Sequence, residues 1–274
     1  MEAISVLGLV GHLGVRRRSG RARAGAACLA LMVGASAPAL AASNTVDWMN
    51  WSPWVINNSS GPQIPSGQTF FLAGVGNVNV TFTQTPPWFS SYRFQSPGFV
   101  TGSVTQGGDT YSWTNHEGMA RTNFDSTGTM DNWSITFSFP GPVSAGSLAL
   151  GIFGLGRIDL VVPGNITTAS VAQNGTFLGD WGVSTNLGPT QFTGGSGSFS
   201  LQNSLPGDLT PGNPAFNTAL GVVRIDDQIS SLTVGFAQIG QDGVGINIGR
   251  ITPSPGSGAV LLTTGLVFAR RRRA

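Results

Sequence analysis

His116 and Glu117 are adjacent, and they are the only histidine and the only glutamate between residues 42 and 250. A Ser-His-Asp hydrolase needs a histidine base beside a nucleophile on an exposed turn. No Gly-x-Ser-x-Gly elbow occurs in that stretch, so His116 reads as a polar loop residue. Glycoside hydrolysis needs two carboxyl groups facing each other across a groove. Glu117 with Asp109, Asp125 or Asp131 is the available set, and each reads more simply as a turn or cap carboxylate. Asp226, Asp227 and Asp242, with Asn247 nearby, offer oxygens to calcium, but no Asp-x-Asp-x-Asp-Gly loop gathers them. The single cysteine, Cys28, precedes this region, so thiolate chemistry, a disulfide framework and a His/Cys zinc site are all excluded from it. No metal or cofactor is expected.

Seven tryptophans lie in the same stretch. An indole presents a broad apolar face and one N–H donor, a combination suited to stacking on a sugar ring. Trp48, Trp51, Trp54 and Trp88 precede turn-rich segments and are the candidate carbohydrate contacts. The competing reading is that they fill sheet faces and core edges.

The elements that must position these residues read as strands. β-branched and aromatic runs recur between Gly, Pro, Asn and Ser clusters, and no stretch has an amphipathic helical period. Trp133-Ser-Ile-Thr-Phe-Ser-Phe139 alternates cleanly, and Pro140-Gly141-Pro142 is expected to end it. Phe70–Val75 and Asn77–Thr83 are expected to pair as a hairpin. Asn174-Gly175 is expected to turn a second, tight one. About twelve short strands predict an all-β body, an antiparallel two-sheet β-sandwich of jelly-roll-like type. No internal repeat supports a β-helix.

Charge narrows the partners. Lysine is absent, and nine of the fourteen arginines lie at the two ends of the chain. Residues 42–250 carry five arginines against eleven acids, a net charge of −6. Such a body is unsuited to nucleic acid, which demands basic patches.

The ends read as addresses. Residues 1–41 have an arginine-rich segment, an apolar alanine-rich run and a small-x-small site at Ala39-Leu40-Ala41. This predicts a signal peptide with Ala42 as the new N-terminus. Residues 251–274 form a tail: Pro253-Ser254-Pro255-Gly256, an apolar run over 258–269, then Arg270, Arg271, Arg272 and Arg273. A helix over that run is about 18 Å long against about 30 Å of hydrocarbon, short for a permanent transmembrane helix. The arginines should stay cytoplasmic and leave the body outside.

This layout resembles the PEP-CTERM sorting signal of exported bacterial proteins, with Ser254 where that family usually has Glu. The resemblance covers only the tail. It implies transient residence in the inner membrane and processing by an exosortase-type membrane enzyme. Release to the cell surface or extracellular matrix, with exopolysaccharide as a further partner, would follow. The expectation is an exported bacterial surface protein with no catalytic activity, the alternative a secreted, lectin-like carbohydrate-binding module using exposed tryptophan.

Overall fold

The structure is a computed structural model describing residues 43–52, 64–83, 89–94, 101–114, 117–123, 130–157, 163–181, 189–204, 220–240 and 243–254. The expected signal peptide, tail helix 258–269 and arginine cluster lie outside the described residues. Within them the chain is all-β and forms two sheets. Among them no helix is long and apolar enough to cross a membrane.

Among the described residues sixteen strands follow in order. They are β1 (Ser43–Trp48), β2 (Gln68–Leu72), β3 (Gly76–Phe82), β4 (Phe89–Phe94), β5 (Thr101–Gln106), β6 (Asp109–Thr114), β7 (Gly118–Asn123) and β8 (Met130–Val143). After these come β9 (Leu148–Phe153), β10 (Thr168–Val171), β11 (Gly175–Trp181), β12 (Thr190–Gly195), β13 (Ser198–Asn203), β14 (Leu220–Ile225), β15 (Ile229–Ile239) and β16 (Gly243–Pro253).

The second sheet has the order β12-β13-β10-β15-β8-β3-β2 and obeys simple alternation. Along β8, Trp133, Ile135, Phe137 and Phe139 are buried, while Ser134, Thr136 and Ser138 between them face outward. The buried rings meet Leu148, Leu150, Val223 and Ile246 of the first sheet in one continuous core. Trp133 stacks on Phe236 with centroids 4.3 Å apart.

The first sheet, β11-β14-β9-β16-β1-β6-β5, is buried on both faces at its centre. Its β9 reads Leu-Ala-Leu-Gly-Ile-Phe, and every residue is buried. Burial on both faces removes alternation from a sequence. The cause is that this sheet rolls up. Its edge strands β5 and β11 lie against one another, and a Cβ on Gly179 would sit 3.4 Å from Val104 Cγ1. A second apolar cluster, including Val46, Tyr111, Trp113 and Phe153, fills the inside of the roll.

Glycines make room for those rings. Gly245 lies directly opposite Phe153, Gly102 opposite Trp113, and Gly249 opposite Trp48. In each pair the ring covers the glycine, since a Cβ there would fall 1.8, 2.4 and 2.9 Å from ring atoms respectively. Cross-strand aromatic cover of glycine permits the curvature while keeping water from the exposed backbone.

Three expectations need correcting. β1 pairs with β6 in parallel, Ser43 opposite Thr110, so the body is not wholly antiparallel. The long excursion between β1 and β6 permits this pairing, which no tight turn could make. β8 does not end at Phe139 but runs to Val143. Its prolines fall where pairing with β3 has stopped at Ser138 and the register with β15 shifts, so no ladder donor is missed. Asn174-Gly175 turns no hairpin. β10 belongs to the second sheet and β11 to the first. Asp227 accepts the Asn174 backbone N–H (2.6 Å) and side-chain amide (2.9 Å), and Asn174 Oδ1 accepts the Gly197 N–H (2.7 Å). The asparagine therefore ties a crossover between sheets. The expected β2–β3 hairpin is present, with Phe70 opposite Val78.

Candidate functional site

β16 organises the first sheet by forking it. Gly243–Ile246 pair with β7, which continues to β4, while Gly249–Pro253 pair on the same side with β1, which continues to β6 and β5. Asn247 sits at the split, fully buried. Its amide donates to Met49 O (3.0 Å) and to Glu117 O, and its Oδ1 accepts the Ile248 N–H (2.8 Å). That is the role of an isolated polar residue in an otherwise apolar strand. It satisfies the backbone where two strands end against a third.

A cleft of about 380 Å³ opens over this seam, lined by Asp47, Trp48, Met49, Asn50, Arg93, Thr114 and Glu117. Glu117 is buried and both of its oxygens are engaged. Oε1 accepts the Trp51 backbone N–H at 2.8 Å, and Oε2 accepts Arg93 Nε at 2.8 Å and also its Nη2. The carboxylate thus holds the chain after β1 to β4. Trp48 is half-buried on the inner wall, its ring edge-on to Trp113 at 6.3 Å.

The sequence candidates separate on this geometry. Trp48 reaches the cleft. Trp51 does not: it is fully buried in the inter-sheet core, 4.6 Å from the Phe70 ring, and has no face to offer a sugar. Trp54 and Trp88 lie outside the described residues, as do His116, Asp125 and Asp242. Asp109 is at the β5–β6 turn, and Asp131 accepts the Asn123 amide at 2.8 Å, so neither joins Glu117 in the cleft. The carboxylate that does is Asp47, which sequence reasoning missed because it follows an apolar alternation with no motif. Arg93 was legible only as one of five arginines available to the body's single glutamate.

The proposed calcium donors are scattered. Asp226 pairs with Arg224 Nε at 2.7 Å and accepts the Thr176 hydroxyl at 2.6 Å. Asp227 holds Asn174, whose hydrogen bonds keep its carboxyl below the usual range. Asn247 lies in the sheet seam, and among the described residues no three His, Cys, Asp or Glu side chains gather.

Pro253 closes β16 opposite Asn44, and the Ser254 N–H donates to Ser43 O at 2.7 Å. Ile251 is buried, and β16 continues to Pro253. Pro255, Gly256, Arg270 to Arg273, Ala39, Ala41 and Ala42 lie outside the described residues.

Replacing Glu117 tests its role. Glu117→Ala removes the carboxylate that Arg93 and the Trp51 N–H donate to in a buried setting, and should lower unfolding free energy by about 2–4 kcal/mol. Glu117→Gln keeps an acceptor for Trp51 and should lose about half as much. Urea denaturation of the two variants reads the difference.

Fold and cleft together define a two-sheet β protein with a polar cleft at a forked sheet. Comparison with protein-family models, with curated proteins and with solved structures found no match.

Proposed function

We propose that this chain is an exported cell-surface or extracellular-matrix protein whose body has no catalytic role. Its C-terminal tail directs it through the inner membrane and an exosortase-type processing enzyme. In this reading the two packed sheets are a jelly-roll-like display scaffold. One observation supports it above others. β1 begins at Ser43, one residue after the expected new N-terminus Ala42, and β16 ends at Pro253, the first residue of the expected sorting motif, with Asn44 opposite it. The described chain therefore begins and ends at neighbouring positions on the first sheet. Glu117 adds support, because an acid locked to Arg93 and a backbone N–H is unsuited to proton transfer.

A chain stopped after Ser254 tests the reading. It should keep the wild-type denaturation midpoint, leave the envelope fraction and accumulate in soluble form. A truncated chain still attached to the envelope at wild-type level would count against the tail as an address. The alternative, a carbohydrate-binding module, retains Trp48 among the described tryptophans, with Asp47, Asn50 and Thr114 as polar neighbours in the cleft.

A further inference from the structure

The outer face of the second sheet has an unusual composition. In its seven strands the sole charged residue is Asp131, which has the inward parity of Trp133 and binds Asn123. A protein surface is ordinarily about 25–35% charged. Here the outward positions are mostly hydroxyls, amides and glycines, with Phe71, Pro140 and Ala237 among them.

Register aligns them into rows across the strands. Thr193, Ser200, Ser170, Gly235 and Ser134 lie side by side on β12, β13, β10, β15 and β8, and the Ser134 and Thr83 hydroxyls are 3.2 Å apart. The next row carries Thr233, Thr136 and Thr81, with the first two hydroxyls 2.8 Å apart. Neighbouring strands place such groups about 4.8 Å apart. At the β12 end the face sinks into an open hollow of about 610 Å³, where Gly195 and Gly235 withhold side chains. At the β2 end stands Phe71, 61% exposed, the single large exposed apolar residue among those described.

We propose that this face binds a neutral polysaccharide laid across the strands. Charge complementarity selects that partner. A nucleic acid or an anionic polymer needs cations, and none lies on the described strands of this face. A second protein copy needs a central apolar or aromatic anchor, and Phe71 stands alone on an edge strand. A chain of hydroxylated rings needs what the face offers: many small donors and acceptors and an open hollow with the volume for a ring, with an aromatic platform, Phe71, further along the strands. The proposal rests on this face alone. It stands independently of the tail's role and of the Trp48 cleft.

The test is retention of the purified full-length chain by insoluble cellulose and starch, and by immobilised galactomannan and alginate. Ser170→Lys and Ser170→Glu each place a charge in the first row at an exposed position. Far-UV circular dichroism verifies that both variants fold. Retention is expected on at least one neutral polymer and not on alginate. Either charge should weaken it about tenfold, because the polymer leaves that charge desolvated and unpaired. Thr105→Lys, exposed on the other sheet, should leave retention unchanged. The proposal is overturned by no retention on any neutral polymer, or by Lys strengthening and Glu weakening it, the mark of an anionic ligand. It is equally overturned if Trp48→Ala abolishes retention while both Ser170 variants keep it, which would place the sugar in the cleft.

Discussion

Gly245→Ala is expected to destabilise the protein by about 3 kcal/mol, a fall in melting temperature of about 9 °C for a body of this size. Alanine is ordinarily a milder residue than glycine in a strand, so the sign depends on the neighbour. At Gly245 a Cβ would fall 1.8, 2.1 and 2.2 Å from three atoms of the Phe153 ring. That ring lies inside the rolled sheet, buried among side chains such as Trp113 and Val222, and cannot swing into solvent. Gly118 restricts it further, since a Cβ there would sit 3.3 Å from Phe153 Cε1. Relief must therefore come from the backbone pairing of β16 with β9, which links the fork to the rest of the sheet. Phe153→Leu in the same chain should restore part of the loss. A double-mutant cycle by thermal denaturation should give a coupling of about 2 kcal/mol. Additive effects would mean that the ring does not depend on the glycine.

Arg121→Ala should be comparably severe, about 3–5 kcal/mol, while Arg121→Met should be nearly neutral. Arg121 on β7 has no solvent exposure. Its guanidinium lies 4.8 Å from the Phe82 ring centroid and 4.7 Å from that of Trp133, and Nη1 donates to Ser91 Oγ at 3.1 Å. Alanine removes the body that fills the space between two rings. Methionine keeps that volume and a polarisable contact with both rings, and it removes the desolvated charge. Burial lowers the arginine pKa to about 10. The charged form is therefore disfavoured on folding, and this penalty fades as pH rises above about 10 towards the unfolded value. Wild type should gain stability relative to Arg121→Met across that alkaline window, and urea midpoints measured on both sides of it would register the gain.

Alternation made the second sheet legible. The Trp133–Phe139 pattern predicts an inward row of rings, and the structure places one there. The first sheet was less legible because rolling buries both faces and erases the period. β7, Gly-Met-Ala-Arg-Thr-Asn, carries an arginine at a fully buried position, and no single-face pattern signals it as a strand. β12, Thr-Gln-Phe-Thr-Gly-Gly, reads as a loop from its glycines and gains its ladder from β13. Asn174-Gly175 carries strong local turn chemistry, but Asp227 and Gly197 redirect it into a crossover. In the cleft, Trp48 and Glu117 were identified by residue type. Asp47, Asn50 and Thr114 were not, because a fork in a sheet assembles them from β1, the segment just after it, and the end of β6.

The intact mass of the protein recovered separately from cytoplasm, envelope and medium tests the sorting reading most directly. The expected species begins at Ala42, lacks Arg270 to Arg273 and is found in the envelope or medium. Its C-terminus should fall after Ser254, because β16 and the Ser254–Ser43 hydrogen bond hold the chain to that point. A chain retaining both Met1 and Arg273 and confined to the soluble cytoplasm would contradict it.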